Sequence, residues 1–256
     1  MFAATGGRPF DAAAAGGRCS STAPAWTTRS GRLQTRYFAH HGRSVLAVDL
    51  PGHGRSDGTP LHAIADLASW IVRLLDAAAV QSAALVGHSM GALIALEAAA
   101  AATARVRSLA LLGVAERMPV HPDLQSAADG NRRLAPELVA SWGHGRSGHL
   151  GGNPAPGLWM MGGSLQLLER APAGVLAADL AACNAYDGAL AAAARDRLPD
   201  AVAAGRPRPH DSAGQSEAAR RCDQAGAHRC PARRRPHARE RAPGCGDRRA
   251  ARGDLT

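Results

Sequence analysis

Hydrophobic residues in the middle of the chain fall into short runs that alternate between two spacings. Ser44–Leu50 is a compact apolar run that ends at a Pro-Gly turn, which predicts a buried strand followed by a loop. Ile64–Ala78 carries apolar side chains three and four positions apart, which predicts an amphipathic helix. Ser82–Val86 and Ser108–Gly113 predict two more strands, and Ala92–Thr103 predicts a helix between them. Alternating strands and helices of this kind are typical of an α/β protein with a parallel sheet.

The pattern changes after Gly113. Residues 116–190 are rich in Gly, Pro, Trp and His, and they surround helix-like segments at 164–170 and 175–194. We interpret this region as a helical insertion over the sheet, and clefts under such insertions commonly bind small molecules. The expected organisation is an irregular segment (1–32), an α/β core (33–115), a lid (116–195) and a disordered basic tail (196–256).

The charge of the chain is concentrated in that tail. The 256 residues include 30 basic residues, all of them arginine, against 21 acidic residues, for a net charge of +9. Residues 206–256 hold 13 of the arginines and 6 of the acids, so the remainder is nearly neutral. An arginine-rich arm around Arg233–Arg235 would bind nucleic acid, but it lacks interleaved aromatic residues. Nucleic-acid binding is therefore only a remote alternative, and we expect no nucleic-acid partner.

Composition also limits the location and the cofactors. The longest alanine-rich stretch, at 92–104, is interrupted by Glu97, and the N-terminus lacks a signal-peptide pattern, so neither membrane association nor secretion is expected. Five cysteines, four of them in the terminal segments, predict a cytoplasmic protein without a disulfide framework. We expect no cofactor and no metal, because the tail residues that could ligate one fit no metal-binding spacing: Cys222, His228, Cys230, His237 and Cys245.

The pentapeptide Gly87-His88-Ser89-Met90-Gly91 follows a predicted strand and precedes a predicted helix. In a G-x-S-x-G elbow the serine stands on a sharp, strained turn, and bulky side chains two residues away on either side would collide. The Met90 N–H would lie at a helix N-terminus, where it can stabilise an oxyanion. A chance turn before a helix gives the same five letters, but the strand and helix on either side favour a nucleophile.

Together with Val48–Gly58 (VDLPGHGRSDG), this motif makes residues 33–195 resemble the α/β-hydrolase fold family, in its serine-nucleophile esterase or lactonase form. The resemblance implies that Ser89 is the nucleophile, that Met90 supplies an oxyanion N–H and that the insertion is a lid. Asp49 and His53 match a strand end and a loop, and we expect them to shape that loop.

Three residues of the predicted lid are candidates for substrate binding: Trp142, His144 and Trp159. A role in packing and turns within the lid explains them equally well.

Two parts of the family pattern are missing. The family places an acid and a histidine after strands beyond the lid, but no strand is predicted after Arg195, and residues 201–256 contain few large apolar residues. Residues 12–32 lack the expected His-Gly turn and the strand before it. We therefore expect an incomplete sheet with a central gap, and low activity.

A reading-frame fault explains both losses. Read one base later, with synonymous codons chosen freely, Asp196–Leu255 permits IACPTLLLLGARD and, further on, VVLPGAGH. Read two bases later, Arg18–Arg32 permits LLFHGAGMDHTVWA. These strings contain the missing strands, the acid, the histidine and the His-Gly turn. We hypothesise that residues of about 12–32 and 196–256 are frameshifted.

The function expected from these residues is hydrolysis of a small carboxylic ester, lactone or related acyl substrate by Ser89. The alternative is a catalytically inactive or poorly folded product of a frameshifted hydrolase gene. The sequence leaves the exact substrate and the oligomeric state open.

Overall fold

A computed structural model of the chain describes residues 1–12, 18–21, 27–149, 157, 159–195 and 201–204. Within them, six strands form one sheet in the order β1-β3-β2-β4-β5-β6. The strands are β1 Phe2–Ala4, β2 Arg18–Ser21, β3 Val45–Asp49, β4 Ala83–His88, β5 Val106–Leu112 and β6 Ala201–Ala204. β1 pairs antiparallel to β3, and all other pairs are parallel. The sheet is therefore the predicted parallel type with one antiparallel edge strand.

The helices lie between the strands in sequence. They are α1 Arg32–His40, α2 Ile64–Ala77, α3 Met90–Ala101, α4 Pro122–Asp129, α5 Leu134–Gly143, α6 Arg146–His149, α7 Met160–Leu168, α8 Val175–Ala185 and α9 Ala189–Arg195. In the described part of the chain, no helix has both the length and the hydropathy needed to cross a bilayer.

Helix α3 is the centre of the main core. It packs against β4, β5, α2 and α9, and its side chains are buried on nearly every face. A helix that is apolar all round must be buried in this way. Strand β3 is likewise buried along its whole length, as expected for a strand inside a parallel sheet.

A second, smaller core lies within the helical insertion, which we define as α4–α8, Pro122–Ala185. Its buried residues come from α4, α5, α7 and α8: Leu124, Ala127, Ala128, Ala135, Leu168, Val175, Leu176 and Leu180. Helix α8 joins the two cores, because its residues Ala182 and Cys183 belong to the main core.

The predicted strands and helices of residues 44–113 are confirmed, with ends that shift by up to two residues. The predicted helix at 175–194 is two helices, because Tyr186 adopts an extended conformation (φ −84°, ψ 124°) that ends α8. The helix predicted at 164–170 begins earlier, at Met160.

The expectation of a gap at the centre of the sheet was wrong. Arg18–Ser21 forms β2, which pairs with β3 on one side and β4 on the other. The expectation of no strand after Arg195 was also wrong, because Ala201–Ala204 pairs with β5. Strand pairing is made by backbone N–H and C=O groups, which a pattern of apolar side chains does not report. The predicted tail beyond residue 204 lies outside the described residues.

Shortening of a buried side chain on α3 tests the assignment of the main core. Leu93 is 1% exposed, so Leu93→Ala should lower the free energy of unfolding by about 2–5 kcal/mol through lost burial and a cavity. Leu33 on α1 is 63% exposed, and Leu33→Ala should stay within about 0.5 kcal/mol of the parent. Urea denaturation of both variants measures the difference, and equal losses would contradict the assignment.

Candidate active site

Ser89 stands on a strained turn between β4 and α3. Its backbone angles are φ 55° and ψ −123°, a region that a non-glycine residue occupies only when the surrounding structure enforces it. The Ser89 N–H donates to the Leu112 carbonyl at 2.8 Å, and the Ser89 carbonyl accepts from the Ala92 N–H at 2.8 Å. The turn is therefore held from one side by β5 and from the other by α3.

Gly87, the first glycine of the motif, allows this turn to close. A Cβ on Gly87 would overlap the Gly91 carbonyl oxygen and lie 2.6 Å from the Cα of Ala92. Strand β4 and the first turn of α3 thus approach so closely that only hydrogen fits between them. This contact explains glycine at position 87 by packing, as the sequence predicts for an elbow.

Met90 begins α3, so its N–H is one of the four amides that have no acceptor inside the helix. The helix dipole adds partial positive charge at the same place. The Met90 side chain is fully buried beneath the turn, whereas Ser89 keeps 8% of its surface exposed. The backbone amide is thus available to stabilise negative charge next to the Ser89 hydroxyl, and its catalytic role stays a prediction.

Among the hydrogen bonds between described residues, none joins a histidine to the Ser89 hydroxyl. His53 lies at the same edge of the sheet, and both of its ring nitrogens are hydrogen-bonded to other residues. Its Nδ1 bonds the Pro51 carbonyl at 2.9 Å, and its Nε2 bonds Oδ2 of Asp179 at 2.8 Å. The described part of the chain therefore contains the turn at Ser89 without a histidine hydrogen-bonded to its hydroxyl.

Asp49 organises the loop after β3. Its Oδ1 accepts from the Thr28 N–H at 2.6 Å, and its Oδ2 accepts from the Arg55 N–H at 3.1 Å. Its carbonyl accepts the Ser56 hydroxyl at 2.7 Å. A Cβ on Gly54 would overlap the same carboxylate. These contacts agree with the loop-shaping role that the sequence suggests for Asp49.

The bond between His53 and Asp179 was missed by sequence reasoning. The two side chains are 1% and 0% exposed and are 126 residues apart in the sequence. Burial lowers the pKa of His53, but the hydrogen bond and charge of Asp179, the Pro51 carbonyl and the charge of Asp49 outweigh it, so the pKa is raised. A lone aspartate within the apolar run of α8 is the one sequence signal that could have indicated a buried partner.

The three predicted substrate-binding residues make contacts within the helical insertion or just before it. His144 Nδ1 donates to the Ala140 carbonyl at 2.9 Å, and its Nε2 accepts from the Ser164 hydroxyl at 3.2 Å. Trp142 meets His121 edge to face. Trp159 is 66% exposed, and its ring covers Gly162, where a Cβ would overlap it. These contacts show that the three side chains pack against neighbouring residues. A role in substrate binding stays a prediction.

Comparison with known proteins identifies the fold. Residues 26–140 match the family model for the alpha/beta hydrolase fold. The enol-lactonase from Burkholderia xenovorans LB400 superposes with a TM-score of 0.70 at 22% identity, covering 83% of this chain and 80% of that one. The chain therefore has the α/β-hydrolase fold.

Two curated relatives match shorter stretches. The acetyltransferase component of the acetoin cleaving system of Cupriavidus necator is 42% identical over 73 residues, which is 27% of this chain and 19% of that protein. A protein of Variovorax paradoxus named as a carbamate hydrolase, RutD, is 40% identical over 96 residues, 37% of this chain and 35% of its own length. The chain thus matches about a third or less of either relative.

Substitution of Gly87 tests the close approach at the turn. Gly87→Ala should lower the free energy of unfolding by about 1–3 kcal/mol or more, because backbone must move to admit the methyl group. Gly163→Ala is the matched control. Gly163 lies inside α7 with nothing within 4 Å of its added Cβ, so this variant should gain about 0.5–1 kcal/mol. Thermal and urea unfolding compare the two, and a Gly87→Ala protein as stable as the control would rule out the packing explanation.

Proposed function

We propose that this protein descends from, or is, a serine hydrolase acting on a small carboxylic ester, lactone or related acyl substrate. The observation that carries the proposal is the backbone of Ser89, held at φ 55° and ψ −123° between β4 and α3. Strained residues of this kind concentrate at functional sites. Two similar proteins, an enol-lactonase and a protein named as a carbamate hydrolase, have names that refer to substrates with a reactive carbonyl.

In the proposed reaction, Ser89 Oγ attacks the carbonyl carbon while its proton passes to a general base. The Met90 N–H donates to the oxyanion that forms, and collapse expels the alcohol to leave an acyl-serine. Water then hydrolyses this ester and regenerates Ser89. The base and its acid partner are the components that the described residues do not supply.

We further propose the division into segments at 1–32, 33–115, 116–195 and 196–256, with 116–195 acting as a lid. The fold suits a small-molecule acyl substrate, and Trp142, His144 and Trp159 remain candidates to contact it. A cytoplasmic location without a nucleic-acid partner completes the proposal.

A second candidate is that the chain is the inactive product of a frameshifted hydrolase gene. Its support is that the apolar sequences permitted by the alternative reading frames fall on two strands of the sheet. The alternative frames read Leu-Leu-Phe-His over β2 and Leu-Leu-Leu-Leu over β6, the two strands that the hydrophobic pattern did not predict. A strand between two parallel neighbours is normally rich in large apolar residues, and Arg-Cys-Ser-Ser is not.

A fluorophosphonate probe measures the reactivity of Ser89 directly. We expect slow labelling of the purified chain that is abolished in Ser89→Ala and unchanged in Ser69→Ala, whose serine is exposed on α2. Restoring both frames should raise the labelling rate and the hydrolysis of p-nitrophenyl acetate by about 10²–10⁴-fold, the typical contribution of a general base. Rapid labelling of the chain as it stands would contradict the loss of the base, and labelling that survives Ser89→Ala would refute Ser89 as the nucleophile.

The nucleotide sequence that encodes the chain tests the frameshift independently. We expect codons 18–31, read two bases later, to continue without a stop through Leu-Leu-Phe-His-Gly. Codons 196–255, read one base later, should continue without a stop through a Gly-His. A stop codon in either frame, or polar residues over the codons of β2 and β6, would end this hypothesis.

A further inference from the structure

We propose that His53 and Asp179 form a buried charged anchor that positions helix α8 against the carboxyl edge of the sheet, and that deprotonation of His53 loosens it. The anchor concerns the placement of the helical insertion and does not depend on whether Ser89 hydrolyses an ester. The anchor can therefore be tested independently of the proposed function.

The hydrogen bonds of His53 suit a doubly protonated ring. Nδ1 faces the Pro51 carbonyl, which can only accept, and Nε2 faces the carboxylate of Asp179, which when ionised can only accept. With Asp179 ionised, both ring nitrogens carry protons, so that His53 is an imidazolium paired with a buried carboxylate. Loss of one proton would leave a lone pair facing an acceptor and an unbalanced negative charge on Asp179.

The pair lies at the junction between the two cores. His53 follows β3 and Ser89 follows β4, and the carboxyl ends of parallel strands share one edge of the sheet. Asp179 lies on α8. Leu176 and Leu180, on either side of it in the sequence, belong to the insertion core, and Ala182 belongs to the main core. A charged contact here ties the insertion to the edge that carries the candidate nucleophile.

The surrounding groups favour the charged histidine. The carboxylate of Asp49 adds a second negative charge near His53. The guanidinium of Arg55, in the same loop, lies 4.2 Å over the Phe2 ring. On α8, burial and then the charge of Asp179 raise the pKa of the Cys183 thiol to about 12, so this thiol stays neutral at the pH values that concern His53. The pKa of His53 lies above its ordinary value for the reasons given above.

The sign of the pH effect follows from the raised pKa. The anchor is at full strength below the pKa of His53 in the unfolded chain, about 6.5, where both states carry the proton. Its contribution is lost as the pH rises through the higher pKa of the folded state. Alkaline pH should therefore loosen α8 before it affects the main core.

Nitrogen-15 NMR of the imidazole and hydrogen exchange of backbone amides test the anchor in the full chain. We expect both His53 nitrogens to be protonated at pH 6, with a titration midpoint above 6.5. Above that midpoint, amides of α8 should lose at least tenfold in protection after correction for intrinsic exchange, while amides of β4 keep theirs. A singly protonated ring at pH 6, whether from a neutral His53 or a protonated Asp179, would overturn the proposal, as would equal loss in α8 and β4.

Variants separate positioning from general stability. Asp179→Asn should reduce protection of α8 at pH 6 at least tenfold and remove its pH dependence, whereas Asp187→Asn, in an exposed pair with Arg117, should change neither. The double variant His53→Gln, Asp179→Asn restores a neutral hydrogen bond and should recover protection without the pH dependence. Unchanged pH dependence in Asp179→Asn would refute the anchor. If that variant does not fold, the titration of the parent protein decides by itself.

Discussion

The turn at Ser89 is the constraint on which the rest of the structure depends. Strand β4 and helix α3 approach so closely at Gly87 that no side chain fits, and the backbone between them takes a conformation that costs about 1–3 kcal/mol. Burial of α3 on nearly every face offsets this cost, since each fully buried Leu or Ile contributes about 1.5–3 kcal/mol. The burial of the apolar helix α3 therefore stabilises the strained conformation of Ser89.

Much of this arrangement follows from the sequence, because its signals are local. The periods of apolar residues locate β3, β4, β5, α2 and α3, and the spacing of two glycines about a serine identifies the turn. Strands β2 and β6 were not predicted, because four residues that pair through their backbones need no apolar pattern. The partnership of His53 with Asp179 spans 126 residues, so no local pattern could reveal it, although the motif had drawn attention to His53.

Charge plays different parts in different regions of the chain. Most of the net positive charge lies in residues 206–256, whereas Asp49, His53 and Asp179 are buried in the described structure. Asp49 accepts from two donors of the loop after β3 and from the Thr28 N–H, and Asp179 pairs with His53. Both acids thus serve to fix loops and helices at the edge where Ser89 stands.

The same bonds exclude His53 from acting as the base for Ser89. To accept a proton from Ser89 it would need a free ring nitrogen, yet both nitrogens are already hydrogen-bonded, one to the Pro51 carbonyl and one to the buried carboxyl group of Asp179. Turning the ring would leave the carboxylate of Asp179 buried without its counter-charge, and breaking one partner from such a pair costs about 3–5 kcal/mol. A histidine held this firmly suits positioning rather than proton transfer. A catalytic histidine for Ser89 would have to come from a different part of the fold, as it does in the order of nucleophile, acid and histidine that the α/β-hydrolase family uses.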